Sequence, residues 1–115
     1  LKGAASATLF LYDAGLNTWS TPTTLAAGET FTTGASTCLL PSRRKLWIQK
    51  EVSQRTYVLD LVTGQLDAGP FLPYSASAGY DGHRACYARA PSGFEWLYLL
   101  RASGQEFFRV PIEWF

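Results

Sequence analysis

An internal repeat constrains this chain more than any other feature of its sequence. The stretch Leu9-Phe10-Leu11-Tyr12-Asp13-Ala14-Gly15-Leu16-Asn17-Thr18-Trp19 reads as a short apolar strand, a turn over Ala14 to Asn17, and the start of a partner strand. The same order returns at Tyr57-Val58-Leu59-Asp60-Leu61-Val62-Thr63-Gly64-Gln65-Leu66. Asp13 and Asp60 lie 47 positions apart, and Trp19 and Leu66 keep that separation. Periods of roughly 20–50 residues belong to solenoids, propellers and arrays, whose units bury their faces only by stacking on neighbours.

The remaining segments fit short strands. Leu9 to Tyr12 is a run short enough for a strand buried on both faces, and Gly15 and Asn17 both tolerate the positive φ of a tight turn. Glu29-Thr30-Phe31-Thr32-Thr33 is rich in β-formers. Strands are expected at Ala35 to Leu40, Leu46-Trp47-Ile48, Arg55 to Leu61, Arg84 to Arg89, Glu95 to Arg101 and Glu106 to Val110. Hairpin tips fall at Pro41-Ser42-Arg43-Arg44 and Ala90-Pro91-Ser92-Gly93. No ten residues sustain a helical period, and turn signals recur every 8–12 or so residues, the spacing of an all-β sandwich or propeller.

Laying the cycles over one another pairs Gly34 with Gly82, Cys38 with Cys86, and Leu46-Trp47-Ile48 with Leu97-Tyr98-Leu99 or its neighbour. It also pairs Thr56-Tyr57-Val58-Leu59 with Glu106-Phe107-Phe108-Arg109. The expected fold is all-β: antiparallel four-stranded blades of a β-propeller, with a β-sandwich as the alternative. Residues 1–115 form one segment, with cycles over about 9–55 and 56–105 and an incomplete third at 106–115. A closed propeller takes at least about four blades, and two and a half are present. The chain, which starts at Leu1 and contains no Met, is therefore expected to be a piece of a longer propeller or a subunit completed by other copies.

Composition removes several functions. Hydrophobic residues make up 47% and aromatics 15%, enough to build a core, while the net charge is only +1. Nucleic-acid binding needs clustered Lys and Arg, and the one basic knot, Arg43-Arg44-Lys45, reads as a solvated hairpin tip. No stretch approaches the ~20 apolar residues of a membrane helix, so neither nucleic acid nor membrane insertion is expected. Cys38, Cys86 and the single His83 do not make a zinc site; the cysteines are expected as buried thiols, or as one disulfide in an oxidising compartment. Asp81-Gly82-His83 is foremost a turn. The sequence has no Gly-x-Ser-x-Gly elbow and no phosphate-binding glycine loop. No enzyme activity and no cofactor are expected.

Tyr12-Asp13 followed by Asn17-Thr18-Trp19 resembles the kelch repeat of β-propellers, in which a Trp follows the Tyr by seven residues. In the second cycle Asp60 and Gly64 remain, Leu59 and Leu66 replace the Tyr and Trp, and Ile48-Gln49-Lys50 and Leu99-Leu100-Arg101 stand where kelch repeats carry paired glycines. Physically, Asp13 and Asp60 are expected to accept hydrogen bonds from turn amides. Trp19 is expected to stack between neighbouring sheets, burying about 150–250 Å². The resemblance implies a non-catalytic protein-interaction module working through loops at one end. The loop residues Arg43, Arg44, Tyr74, Tyr80, His83 and Arg84 are the candidate contacts, because Tyr and Arg are enriched at binding hot spots. Copper oxidases built on kelch propellers need two histidines, which this chain lacks. One alternative is a carbohydrate-binding lectin assembled from identical chains, stacking sugar on Trp96 or Tyr98 near Glu95 and Arg101. Another, by fold-level analogy, is a structural subunit of a larger assembly such as a virus particle.

Overall fold

The computed structural model of the chain describes residues 8–21, 24, 30, 35–50, 53–73, 84–101 and 106–115. Among them are nine strands: β1 (Leu11–Asp13), β2 (Thr18–Ser20), β3 (Ser36–Leu40), β4 (Lys45–Gln49), β5 (Thr56–Asp60), β6 (Leu66–Ala68), β7 (Arg84–Arg89), β8 (Glu95–Leu100) and β9 (Phe107–Pro111). They form three antiparallel sheets, β1-β2, β3-β4-β5-β6 and β7-β8-β9, each running in chain order. The all-β class and the antiparallel pairing are thus as expected. Only the central sheet has four strands among the described residues. The β-rich stretch over Glu29–Thr33, apart from Thr30, and the glycines Gly34 and Gly82 lie outside them.

The same turn chemistry closes the two copies of the repeat. Asp13 Oδ1 accepts from the amides of Gly15 (2.8 Å) and Leu16 (3.0 Å). Asp60 Oδ1 accepts from those of Val62 (2.8 Å) and Thr63 (2.9 Å). The positive-φ position is Asn17 in the first turn (φ 51°) and Gly64 in the second (φ 75°), again one period apart. Gly15 contributes its amide, not a left-handed backbone. The Thr63 and Val62 amides hold the Asp60 carboxyl below its ordinary range, since hydrogen bonds to the ionised form favour it.

Alternation sorts the core. Cys38, Leu40, Trp47 and Val58 point from the central sheet toward the third, which meets them with Ala85, Tyr87, Leu97, Leu99, Phe108 and Val110. This side of each sheet, facing the next in chain order, is its forward face; the opposite side is its back face. On the back face of the central sheet, Leu46, Ile48, Tyr57, Leu59 and Leu66 are covered by Leu9, from the lead-in to β1. Cys38 and Cys86 occupy matching places on β3 and β7, and each thiol donates to the carbonyl of the next residue, at 3.6 and 3.4 Å. Both are free; Cys38 is half-buried and Cys86 exposed, so neither is the buried thiol expected. Burial pushes the Cys38 thiol upward and Cys86 adds to this, against a backbone hydrogen bond from Tyr87.

Pairing keeps Trp47 matched to Tyr98, as expected, and corrects the alignment of the next strand by one residue. Cys38 opposes Trp47 and Cys86 opposes Tyr98, so Trp47 corresponds to Tyr98 and Gln49 to Leu100. Gln49 opposes Thr56 and Leu100 opposes Phe107, so Thr56 corresponds to Phe107, not to Glu106. A slip of one residue would turn every side chain to the other face, which the buried Leu97 and Leu99 forbid.

Trp19 departs further from expectation. It is 68% exposed and meets the Tyr12 ring at a tilt of 44°, with centroids 5.1 Å apart. Tyr12 is 49% exposed, so the Leu9–Tyr12 run is buried on one side, not on both. Trp19 corresponds to Leu66, which lies on a back face, and among the described residues no sheet lies behind the first. The third cycle also ends differently. Pro111 stands where Asp60 caps the earlier turn, and Ile112–Trp114 forms a 3-10 turn that buries Ile112 in the main core. Lys45 Nζ donates to the Phe115 carbonyl at 2.6 Å, tying this end to the central sheet.

Two measurements test this packing. Trp47 is 1% exposed at the seam between sheets, and Trp47→Ala should lower unfolding stability in denaturant by about 3–5 kcal/mol. Gln49, 2% exposed, has an Nε2 without a hydrogen-bond partner. Gln49→Leu, which installs the side chain of the matching third-sheet position, should raise stability by about 1 kcal/mol because an orphaned buried donor carries a desolvation cost.

Candidate functional site

The forward face of the third sheet is built by the even positions of β7 and β8 and the odd positions of β9, among them Arg84, Cys86, Trp96, Tyr98, Leu100, Phe107 and Arg109. Period-2 geometry sets this directly. Tyr98 and Phe107 stack with centroids 5.5 Å apart and planes at 20°. The Arg109 guanidinium lies 4.2 Å over the Trp96 ring, a cation–π arrangement. Arg84, Cys86, Tyr98, Leu100 and Phe107 line an open groove of about 330 Å³.

This face is uncovered, while its counterpart on the central sheet is closed. Phe107 is 63% and Leu100 46% exposed, whereas the matching Thr56 and Gln49 are each 2% exposed. The exposed face is also the more apolar of the two at these positions. A contiguous uncovered apolar face is the feature that marks an interaction surface on a soluble domain.

Of the loop residues singled out from the sequence, Arg84 lies on this face and Arg43 and Arg44 do not. Arg43 and Arg44 sit exposed at the β3–β4 tip, where Arg44 takes a left-handed conformation (φ 50°). Arg84 starts β7 at the other end of the sheet, five residues from Arg89 at the β7–β8 tip. Tyr74, Tyr80 and His83 lie outside the described residues. Of the proposed stacking residues, Trp96 and Tyr98 do share one face. Arg101 is drawn away by Glu106, at 2.8 Å, and Glu95 faces the central sheet. Phe107, Leu100 and Arg109 were missed; carrying the alternation on from Trp96 finds Leu100, and a cycle alignment one residue later finds Phe107.

Glu95 organises the hairpin end of the stack. Its Oε2 accepts from Ser42 Oγ at 2.6 Å and its Oε1 from the Tyr87 hydroxyl at 2.8 Å, with Arg89 Nε 4.0 Å away. The Ser42 bond joins the β3–β4 tip to the third sheet. The Ser42 hydroxyl, then the Tyr87 hydroxyl, hold the Glu95 carboxyl below its ordinary range, and the same bond raises the Tyr87 phenol. A cleft of about 240 Å³ beside it is lined by Arg43, Phe94, Glu95, Trp96 and Glu113. Among the described residues no three His, Cys, Asp or Glu side chains gather as metal ligands do.

A scan of protein-family models matches none to this chain, and a search of curated proteins returns no match.

The Glu95 contacts predict a pH dependence. A carboxyl whose folded pKa lies below its unfolded value of about 4.5 contributes stability that is complete above that value and lost as pH falls through the folded one. The thermal midpoint should therefore fall as pH drops below about 4.5. Glu95→Gln should reduce that slope, read from unfolding curves at successive pH; an unchanged slope would show that Glu95 does not couple to folding.

Proposed function

We propose that this chain is a non-catalytic protein-interaction module of kelch-like, propeller-type blades, working through the forward face of its third sheet. The observation that carries this reading is the contrast between equivalent faces. The central sheet buries Trp47 at its seam with the third sheet and keeps Gln49 and Thr56 covered, while the third sheet leaves Leu100 and Phe107 open. The forward-to-back stacking of successive sheets supports the propeller-type arrangement, and the Tyr12-Asp13 and Asn17-Thr18-Trp19 spacing supports its kelch-like character. Large aromatic side chains with flanking arginines are the composition of binding hot spots.

The cluster richest in titratable groups supports a structural role rather than catalysis. Glu95, Tyr87 and Ser42 satisfy one another across two hairpins, leaving the carboxylate engaged in holding them together. The carbohydrate reading draws on the cleft where Trp96 meets Arg43, Glu95 and Glu113. Against it, one face of Trp96 is covered by Arg109 and Tyr98 is stacked on Phe107.

Substitution of the exposed face tests the reading. Leu100→Asp and Phe107→Asp should leave the circular dichroism spectrum unchanged and abolish formation of a stoichiometric protein complex that Arg43→Ala leaves intact. A complex insensitive to both face substitutions would sink the proposal. Binding on a glycan array that disappears in a folded Trp96→Ala variant would instead favour the carbohydrate reading.

A further inference from the structure

We infer that the occupant of the third sheet's forward face is a second copy of this chain, docked head to tail through the back face of its β1–β2 sheet. The inference rests on the interaction reading above and names its partner.

The argument begins with equivalence. The forward face of the third sheet is the counterpart, position by position, of the central sheet's forward face: Cys86 matches Cys38, Tyr98 matches Trp47, and Phe107 matches Thr56. Inside the chain, that kind of face is covered by the back face of the next sheet. The β1–β2 hairpin is the counterpart of β5–β6, shown by the shared Asp cap and by the positive-φ residue one period apart. Tyr12 and Trp19 therefore match Leu59 and Leu66, which lie on the central sheet's back face.

The two ends of the stack thus expose complementary halves of one contact. One end presents an uncovered forward face, with Tyr98 stacked on Phe107 and Leu100 beside them. The other presents an uncovered back face, with Tyr12 packed against Trp19. Bringing them together repeats the internal contact between chains. Aromatic side chains bury about 150–250 Å² each when fully covered. Four rings supply at most about 600–1,000 Å², which places the contact among weak interfaces, below about 1,200 Å². Because the contact joins two different surfaces, it is heterologous, and a pair still has one free face of each kind. Association therefore continues past the dimer as concentration rises, until the ends meet in a closed ring.

Complementary blocking variants test this in sedimentation velocity over a concentration series. The wild-type chain should show an average mass that grows with concentration from one chain to two and beyond. Trp19→Arg and Phe107→Arg each remove one half of the contact, so each variant alone should stay at the mass of one chain. An equimolar mixture retains one intact face of each kind and should form a pair that grows no further. Circular dichroism confirms that the sheets persist; a variant that fails this check is replaced by Trp19→Ser or by Phe107→Thr, which carries the residue of the matching central-sheet position. A wild-type chain that stays single at every concentration overturns the inference, as does a mixture that fails to pair. Either blocked variant dimerising alone also overturns it, by showing a two-fold contact. A single-chain wild type whose different protein partner is lost on Phe107→Arg leaves the interaction reading standing, so the two failures are distinct.

Discussion

The burial of Trp47 between the central and third sheets is the contact on which the remaining structure depends. Its indole sits at the centre of a seam formed with Leu40, Val58, Leu97 and Leu99, and sheets stack face to face at a spacing of about 10 Å. A side chain of this size at the seam fixes which face of β4 is forward. Alternation then dictates the rest: Ile48 and Leu59 turn to the other side and meet Leu9. The hydrogen-bonded register carries the same choice to β3 and β5, and across the seam Leu97 and Leu99 set it for β7 and β9.

Polar groups act at the ends of this stack, where the apolar seam stops. The aspartates at positions 13 and 60 close hairpins by accepting turn amides, a local device that needs no neighbouring sheet. Glu95 works between hairpins, because Ser42 reaches it from the preceding unit. Lys45 does the same for the last residues through the Phe115 carbonyl. These contacts orient successive units relative to each other, which the apolar seam alone, being non-directional, does less well.

Stacking of repeated sheets leaves an end on each side, and the residues at these ends explain the molecule's surface chemistry. A position that is core in the middle of the series is surface at its margin, with no change in the local backbone. Trp19 and Phe107 are the clearest cases: each belongs to a position class that the interior fills and covers, and each is exposed. Exposure at both margins, with opposite faces presented, gives the surface a polarity that a closed two-layer sandwich lacks.

Much of the fold was legible in the sequence because its signals are local. The 47-residue period, the Asp-capped turns and most strand positions depend on neighbours a few residues away. Even the separation of Glu95 from Trp96 follows from alternation. The register of β9 was not legible, since Glu106-Phe107-Phe108 supports either of two alignments until Leu99 and Leu100 choose the partners. The exposure of Trp19 was not legible either, because it depends on whether a sheet lies behind it. The candidate site shows the same division. Trp96 and Tyr98 were found from their chemistry, but the groove that Tyr98 shares with Phe107 and Arg84 exists only once β7, β8 and β9 lie side by side. Sequence by itself determined the all-β character, the repeat and the turns, because these are set by short-range sterics and hydrogen bonding. Tertiary structure decided which faces are covered, because coverage is a property of the order in which sheets stack and of where that stacking stops.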